Sequence, residues 1–186
     1  MVTFTSQPMT AEEFARLDID VPVELVRGHV VEQGWPSTIH GIVCCHVAFE
    51  IESWVRRVRA SGLTSLRTGI ITERNPDSVR GPDVFFITRE RMESAGGLEG
   101  FLEIGPELAV EVKSPSESWK DLQAKINEYF TAGVQEIWVL EPEVRLLSVY
   151  RVDERPRTLS PEDSLTSPLL PEFVANVTEF FRDVPA

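Results

Sequence analysis

The segment LAVEVK, residues 108–113, is the most informative part of the sequence. Its apolar residues are typical of a short buried strand, yet it carries two charges. Side chains alternate between the two faces of a strand, so Glu111 and Lys113 share one face. Charges in so apolar a strand are costly to bury unless something pairs them. A divalent cation held by Glu111 and by Asp83, which lies 28 residues earlier after Gly81-Pro82, would do so. The segment therefore predicts half of a metal site.

The same charges have a plainer interpretation. Asp83 could simply begin a strand after a turn that contains proline, and Glu111 with Lys113 could form an ion pair that protects an edge strand from aggregation. Considered alone, Asp83, Glu111 and Lys113 are each better explained by such a structural role. The functional interpretation depends on their occurring together in the right order.

Lysine usage adds a second indication of chemistry. Of 18 basic residues, only Lys113, Lys120 and Lys125 are lysine, and the other 15 are arginine. Lysine is a compact charge with a tunable pKa, whereas arginine stays protonated, so lysines confined to one segment favour a chemical role there. Chance clustering on a solvated helix explains three residues equally well. Lys125 in particular lies one helical turn from Asp121 and Tyr129, as in an ordinary salt-bridged helix face.

Length and composition predict one domain over residues 1–186, with its core at about 10–180. A chain of 186 residues with 42% hydrophobic residues can bury a sizeable core. No run reaches the ~20 apolar residues of a membrane helix, and the N-terminus lacks the pattern of a secretory signal. Cys44 and Cys45 are adjacent in a helical pattern, which supports neither a disulfide nor a thiolate metal site. We therefore expect a cytoplasmic protein.

The order of predicted elements indicates an α/β (α+β) fold, with a central mixed sheet flanked by helices. Helix starts are predicted at Thr10, at Ser37 and at Ser116 or Ser118. The predicted helices end before Pro22, at Gly62 and at about Ala132, with a last helix near Val177 to Arg182. Strands are predicted at 23–26, 29–32, 63–66, 69–72, 84–87, 108–113, 136–140 and 144–150. The elements from 108 to 140 form a strand, helix and strand that make a crossover between parallel strands.

These motifs follow one another in an order that resembles a known family. The motifs are Val23 to Gly28, Ser37 with His40, Gly81 to Val84, Val110 to Ser116, the helix with Asp121, Lys125 and Tyr129, then Ala132 to Val134, Trp138 and Pro142. Over about residues 10 to 180 they resemble the Uma-two family of restriction-endonuclease-like proteins, in the PD-(D/E)XK nuclease superfamily. Val23 and Arg27 depart from the family pattern, which more often has an aromatic and an acidic residue there.

The resemblance implies a restriction-endonuclease-like sheet with a metal site at one edge. It implies Asp83 and Glu111 as metal ligands and Lys113 as their basic partner. Glu24 and His40 match positions that the family pattern also carries, so they are candidates to complete the site. A lysine on a helix can replace one on a strand, so Lys125 is the second candidate for the catalytic lysine.

Phosphodiester hydrolysis needs a cation on the phosphate, an activated water and relief of charge on the leaving oxygen. Mg²⁺ or Mn²⁺ could be held by Asp83, Glu111, the backbone carbonyl of Val112 and Glu24. Lys113 could orient or deprotonate the water, or stabilise the transition state, and the sequence leaves these roles open.

Three functions are compatible with the sequence. The first is a divalent-metal-dependent endonuclease that hydrolyses DNA. The second is a non-catalytic interaction or scaffold module that keeps the fold, which the net charge of −12 favours because nucleic-acid binders usually present a basic surface. The third is a metal hydrolase with another substrate. We expect DNA binding to be weak and metal-assisted, and a homodimer could place two sites on two strands.

Overall fold

The computed structural model describes residues 7–95 and 99–184. Within these ranges the helices are α1 (Ala11–Phe14), α2 (Thr38–Val58), α3 (Arg89–Ser94), α4 (Trp119–Thr131) and α5 (Val177–Phe180). The strands are β1 (Val23–Val26), β2 (His29–Glu32), β3 (Gly62–Ser65), β4 (Ile70–Glu73), β5 (Ser78–Arg80), β6 (Val84–Thr88), β7 (Leu108–Val112), β8 (Glu136–Glu141), β9 (Leu146–Arg151), β10 (Arg157–Leu159), β11 (Ser164–Ser167) and β12 (Leu170–Asn176). The predicted mixed α/β fold class is confirmed.

A six-stranded mixed sheet in the order β10-β9-β8-β7-β6-β3 forms the centre. β7 pairs in parallel with β8 and antiparallel with β6. Because β7 is central, each of its five residues is buried, which explains why its sequence is almost continuously apolar. The predicted parallel pairing across the 108–140 unit is confirmed.

The two faces of this sheet are covered by different helices. Val110 packs with α2 and the C-terminal elements in one apolar cluster. Ala109, from the other face of β7, packs with Leu122, Ile126 and Tyr129 of α4. Glu111 is on the same face as Ala109, so the sheet directs its carboxylate towards α4.

A smaller antiparallel sheet, β2-β1-β5-β4, carries the remaining elements of the site. The β1–β2 hairpin turns at Arg27 and Gly28, which both have positive φ, at 48° and 78°. Two positive φ values suit a hairpin turn whose twist matches its strands, and they explain why a weak turn sequence still makes a tight hairpin. The third sheet is the hairpin β11–β12.

Helix starts follow the sequence closely. Thr10 forms the predicted capping box with Glu13, Ser37 accepts a hydrogen bond from the backbone N–H of His40, and Ser118 caps α4 through Asp121. These caps satisfy backbone donors that a helix start leaves unpaired. The choice between Ser116 and Ser118 is thereby resolved for Ser118.

One boundary prediction is wrong, and one hairpin was not predicted. α2 ends at Val58 with Arg59 in the left-handed conformation, and Gly62 is the first residue of β3 rather than the helix terminator. Gly62 is needed because a Cβ there would lie 2.4 Å from the Phe86 ring. The hairpin β11–β12 lies where the sequence predicted no strands. No helix of the described residues is long and apolar enough to span a membrane.

Candidate active site

A cavity of about 440 Å³ opens where the two larger sheets meet. β1 contributes Glu24, the segment before β6 contributes Asp83, the end of β7 contributes Glu111, and α4 contributes Lys125. His40, at the third position of α2, completes the set. The structure therefore brings five predicted site residues, far apart in the sequence, to one cavity.

Asp83 is 7% exposed and is anchored through one carboxylate oxygen. Its Oδ2 accepts a hydrogen bond of 2.9 Å from the backbone N–H of Val112 and lies 3.1 Å from His40 Nε2. The other oxygen, Oδ1, lies 4.0 Å from an Arg67 guanidinium nitrogen. One oxygen of Asp83 is thus fixed by the protein, and the other has only a long ionic contact.

Glu111 is 3% exposed, and its two carboxylate oxygens also differ in how firmly they are held. Its Oε1 accepts a 2.6 Å hydrogen bond from the hydroxyl of Tyr129, and its Oε2 lies 3.8 Å from Lys125 Nζ. Burial raises the pKa of the Glu111 carboxyl; Lys125 opposes this rise, and the negative charge of Asp83 adds to it. The metal-free site therefore holds this carboxylate at an energetic disadvantage that a cation would relieve.

Lys125 supplies positive charge to several carboxylates. Its Nζ lies 3.1 Å from Glu117 Oε1, 3.8 Å from Glu111 Oε2 and 4.0 Å from Glu24 Oε1. Burial disfavours the charged amine, but Glu111, Glu24 and Glu117 outweigh it and raise the pKa of Lys125 above its ordinary value. Lys125 is therefore an ammonium ion at neutral pH, a donor and a positive charge rather than a base.

The surface interpretation of Lys125 is wrong. Asp121, its predicted i, i+4 partner, instead lies against Ser118, whose hydroxyl donates a 2.6 Å hydrogen bond to it. The Lys125 side chain is only 14% exposed and points towards the cavity carboxylates.

Lys113 lies elsewhere, although it follows β7 directly. Its Nζ donates a hydrogen bond of 3.3 Å to the carbonyl of Ser114 and lies 5.7 Å from the centre of the Trp119 ring. Among the residues that line the cavity are Val112 and Ser114, but not Lys113. The strand ends at Val112, and the Lys113 side chain lies against Ser114 and Trp119.

Glu24 is held in place by neighbours on the smaller sheet. Its Oε2 accepts hydrogen bonds from Arg80, at 2.9 Å, and from Gln33, at 3.2 Å, and its Oε1 accepts one from the backbone N–H of Gly81, also at 3.2 Å. Arg80 in turn forms a two-pronged ion pair with Glu128 of α4, at 2.7 Å for both bonds. Glu24 and Arg80 therefore join the smaller sheet to α4 at the edge of the cavity.

Sequence reasoning missed Arg80 and Glu128, and it named Tyr129 only as part of a motif. A signal for Tyr129 was present, because it follows Lys125 by four residues and so shares its helix face. Arg80 and Glu128 carry no comparable signal, because 48 residues separate them and only the fold makes them partners.

Oxygen chemistry makes the cavity suited to a hard divalent cation. Asp83 Oδ1 and Glu111 Oε2 accept no hydrogen bond from the described residues, and both carboxylates line the cavity. Mg²⁺ and Mn²⁺ prefer such oxygen ligands and keep several waters. Asp83 and Glu111 therefore fit a metal site, whereas both oxygens of Glu24 already have partners.

Three arginines outside the cavity have partners within the fold. Arg57 donates to the carbonyl of Glu172, Arg145 to that of Val184, and Arg151 pairs with Glu136. Arg67 is different, because its side chain is 45% exposed and it lines the cavity beside Asp83.

Comparison with known proteins identifies the class. The family described as "Putative restriction endonuclease", Uma2, matches residues 11–178, and the chain belongs to this family. A solved structure described as a putative nuclease belonging to DUF820, from Anabaena variabilis, is similar with a TM-score of 0.80 and 21% identity. The match covers 94% of this chain and 98% of that one. No curated protein matches the chain. The family resemblance inferred from the motifs is confirmed, and membership supports a nuclease function.

Proposed function

We propose that the protein is a Mg²⁺- or Mn²⁺-dependent endonuclease that hydrolyses phosphodiester bonds in DNA. One observation carries the proposal: two buried carboxylates, Asp83 and Glu111, each have one oxygen fixed by a hydrogen bond and the other without one from the part of the chain that the structure describes. This half-fixed geometry is what a metal ligand needs, because the fixed oxygen sets the position of the free one.

A bound divalent cation would neutralise charge on the scissile phosphate and lower the pKa of a water ligand. Asp83 and Glu111 would hold it, with the carbonyl of Val112 as a third candidate donor. Tyr129 orients Glu111 through its hydroxyl, and the backbone N–H of Val112 orients Asp83. Glu24 and His40 are proposed as positioning residues, because Glu24 fixes Arg80 and Gly81 and His40 contacts Asp83.

Lys125 is proposed as the catalytic lysine in place of Lys113. A positive charge 3.8 Å from Glu111 Oε2 can orient the attacking water and stabilise negative charge that develops on the phosphate. Because the pKa of Lys125 is raised, its ammonium group would act as a hydrogen-bond donor to the water or the phosphate and not as a base. Lys113 is proposed to contribute only to the surface around Trp119.

Arg67 is proposed to contact the phosphate group. It is the half-exposed cation at the mouth of the cavity, and its guanidinium is 4.0 Å from Asp83 Oδ1. Arginine binds phosphate oxygens with two parallel hydrogen bonds, which suits this position. The net charge of −12 gives few other cations for the backbone of DNA, so binding by the chain alone should be weak and metal-assisted.

A nuclease assay with paired variants tests the proposal. Plasmid and single-stranded DNA are incubated with the protein in Mg²⁺, in Mn²⁺ and in EDTA. Cleavage in either metal that is lost in EDTA, in Glu111→Gln and in Lys125→Met, but kept in Lys113→Met, supports it. A folded protein that binds neither cation nor DNA would instead favour the non-catalytic module, for which the acidic charge is the best argument. A homodimer is a further proposal, which sedimentation analysis would test.

A further inference from the structure

Beside the proposed oxygen-rich site lies a cluster of softer donors. His40 and Cys44 are four residues apart on α2, so their side chains lie on one face of the helix. His40 Nδ1 is 3.5 Å from Cys44 Sγ, and His40 Nε2 is 3.1 Å from Asp83 Oδ2. The nearest ligand atoms of the three residues all lie within 4.8 Å of one another, the only such group of three in the described ranges.

We propose that His40, Cys44 and Asp83 bind Zn²⁺, or a similar borderline transition-metal ion, in a mode that competes with the hard cation for Asp83. Binding itself does not depend on the proposed nuclease function; only the expected inhibition does. The proposal departs from the expectation that the cysteines support no thiolate metal site, which considered Cys44 and Cys45 without their partners across the fold.

The donor types argue for zinc rather than magnesium. Thiolate and imidazole ligands favour zinc, whereas Mg²⁺ prefers oxygen, so the same cavity offers two sets of ligands that share one carboxylate. Three protein ligands leave a fourth tetrahedral position for water. Ligands about 2.0–2.3 Å from a tetrahedral ion lie roughly 3.3–3.8 Å apart, so the cluster must contract by about 1 Å. Rotation of the Cys44 and His40 side chains provides such a contraction.

Binding requires one proton to leave. Burial, with the nearby carboxylates of Asp83 and Glu111, raises the pKa of the Cys44 thiol, so the metal-free chain carries it as S–H. The Sγ–H proton passes to solvent as the S–Zn bond forms, and His40 supplies a lone pair from one ring nitrogen. Asp83 Oδ2 gives up its contact with His40 Nε2 and binds the ion instead. No oxidant or reductant takes part.

Cys45 provides a matched control within the same helix. It is the next residue, it is exposed, and it is not part of the cluster. A serine at position 45 therefore removes a thiol of the same chain without changing the ligand set.

Co²⁺ and Zn²⁺ titrations of the wild type, Cys44→Ser and Cys45→Ser test the site. The wild type and Cys45→Ser should bind one Co²⁺ with a near-ultraviolet thiolate-to-cobalt band, which Zn²⁺ abolishes by displacement. Cys44→Ser should lose the band and, because a ligand itself is lost, bind Zn²⁺ more weakly by at least the 10- to 100-fold typical of losing a residue that only orients a ligand, as measured in competition with a chromophoric chelator. Circular dichroism checks each fold, and Cys44→Ala replaces the serine variant if it fails to fold. A band that is absent from the wild type, retained in Cys44→Ser, or lost in Cys45→Ser would overturn the proposal.

An activity arm separates this proposal from the proposed function. If Mg²⁺-dependent cleavage occurs, the Zn²⁺ concentration that halves it should rise about tenfold or more in Cys44→Ser, each variant being compared with its own zinc-free rate. An equal inhibitory concentration in both would contradict competition at Asp83. If no cleavage occurs, the proposed function fails, but the cobalt band and zinc affinity still decide the metal site.

Discussion

Replacing either lysine by methionine should distinguish a cavity cation from a surface one through stability alone. Lys125 is the cation nearest to the 3% exposed Glu111, at 3.8 Å. Removing one partner of a buried ion pair costs about 3–5 kcal/mol, and the partial exposure of Lys125 lowers this to roughly 2–4 kcal/mol for Lys125→Met. Lys113 makes a cation–π contact at the surface, so Lys113→Met should cost about 0.5–1 kcal/mol.

The pH dependence of that loss gives a second check. Lys125 lowers the pKa of Glu111, which burial has raised, so Lys125→Met should raise it further. A carboxyl whose pKa is higher in the folded state than its unfolded value of 4.5 contributes its full stability at pH values below 4.5. That contribution is lost as the pH rises through the folded-state pKa. Because burial raises the wild-type pKa of Glu111 to about 8, the two folded proteins differ in the charge of Glu111 only above that pH, so the destabilisation by Lys125→Met should be smaller at pH 7 than at pH 9.5.

Urea unfolding in EDTA measures both effects, with circular dichroism as the signal and equal m-values required of all proteins. Lys120→Met, at an exposed position of α4, is a further control for the loss of a positive charge. Equal losses in Lys125→Met and Lys113→Met, or a loss in Lys125→Met that does not grow with pH, would refute the placement of Lys125 against Glu111.

Three other perturbations have defined outcomes. Asp77 accepts hydrogen bonds of 2.8 Å from the Ala11 N–H and from Arg74; burial alone would raise its pKa, but these donors lower it below 3.8. Asp77→Ala should therefore lower the free energy of unfolding by urea by about 1.5–3 kcal/mol at pH 7. The loss should become smaller as the pH falls below 3.8, the ordinary pKa of the carboxyl. An unchanged urea midpoint at pH 7 would contradict this. Trp35 lines the cavity and is 76% exposed, so its ring is available to stack on an unpaired base. Trp35→Ala should therefore raise KM about 5-fold or more and leave kcat nearly unchanged. Phe49→Ala, at an exposed position outside the cavity, should leave KM unchanged. Duplex binding should fall only shallowly with salt and require the metal; tight, metal-independent binding with a steep salt slope would reveal a basic surface that the account omits.

Local patterns predicted much of the fold because local physics decides it. Ser37 and Ser118 cap their helices because each hydroxyl accepts a hydrogen bond from a backbone N–H three residues later. The alternation of side chains along residues 108–112 determines on which face of the sheet Glu111 lies. β10 and β11 escaped because they have only three and four residues and carry few apolar side chains, and β12 escaped because the exposed Pro171 and Glu172 interrupt the alternation of its apolar residues.

The site was predictable where residues lie on regular elements and unpredictable where the fold joins distant ones. The structure brings Asp83 and Glu111 to one cavity because β6 and β7 are antiparallel, so that the start of one strand lies beside the end of the other. Lys113 was preferred to Lys125 because sequence adjacency suggested proximity, but β7 ends at Val112, whereas α4 crosses back over the sheet and brings Lys125 to Glu111. The proposed role of Cys44 depends on α2 packing against β6, which no local pattern encodes.

Metal-dependent cleavage by single-residue variants tests the central claim most directly. Initial rates on one DNA substrate are compared for the wild type, Glu111→Gln, Lys125→Met and Lys113→Met in Mg²⁺, in Mn²⁺ and in EDTA, at matched folded concentrations. We expect cleavage only with a divalent cation, a loss of about 100-fold or more in Glu111→Gln and Lys125→Met, and a rate within a few-fold of wild type in Lys113→Met. Cleavage that survives EDTA or Glu111→Gln, or that disappears in Lys113→Met but not in Lys125→Met, would contradict it.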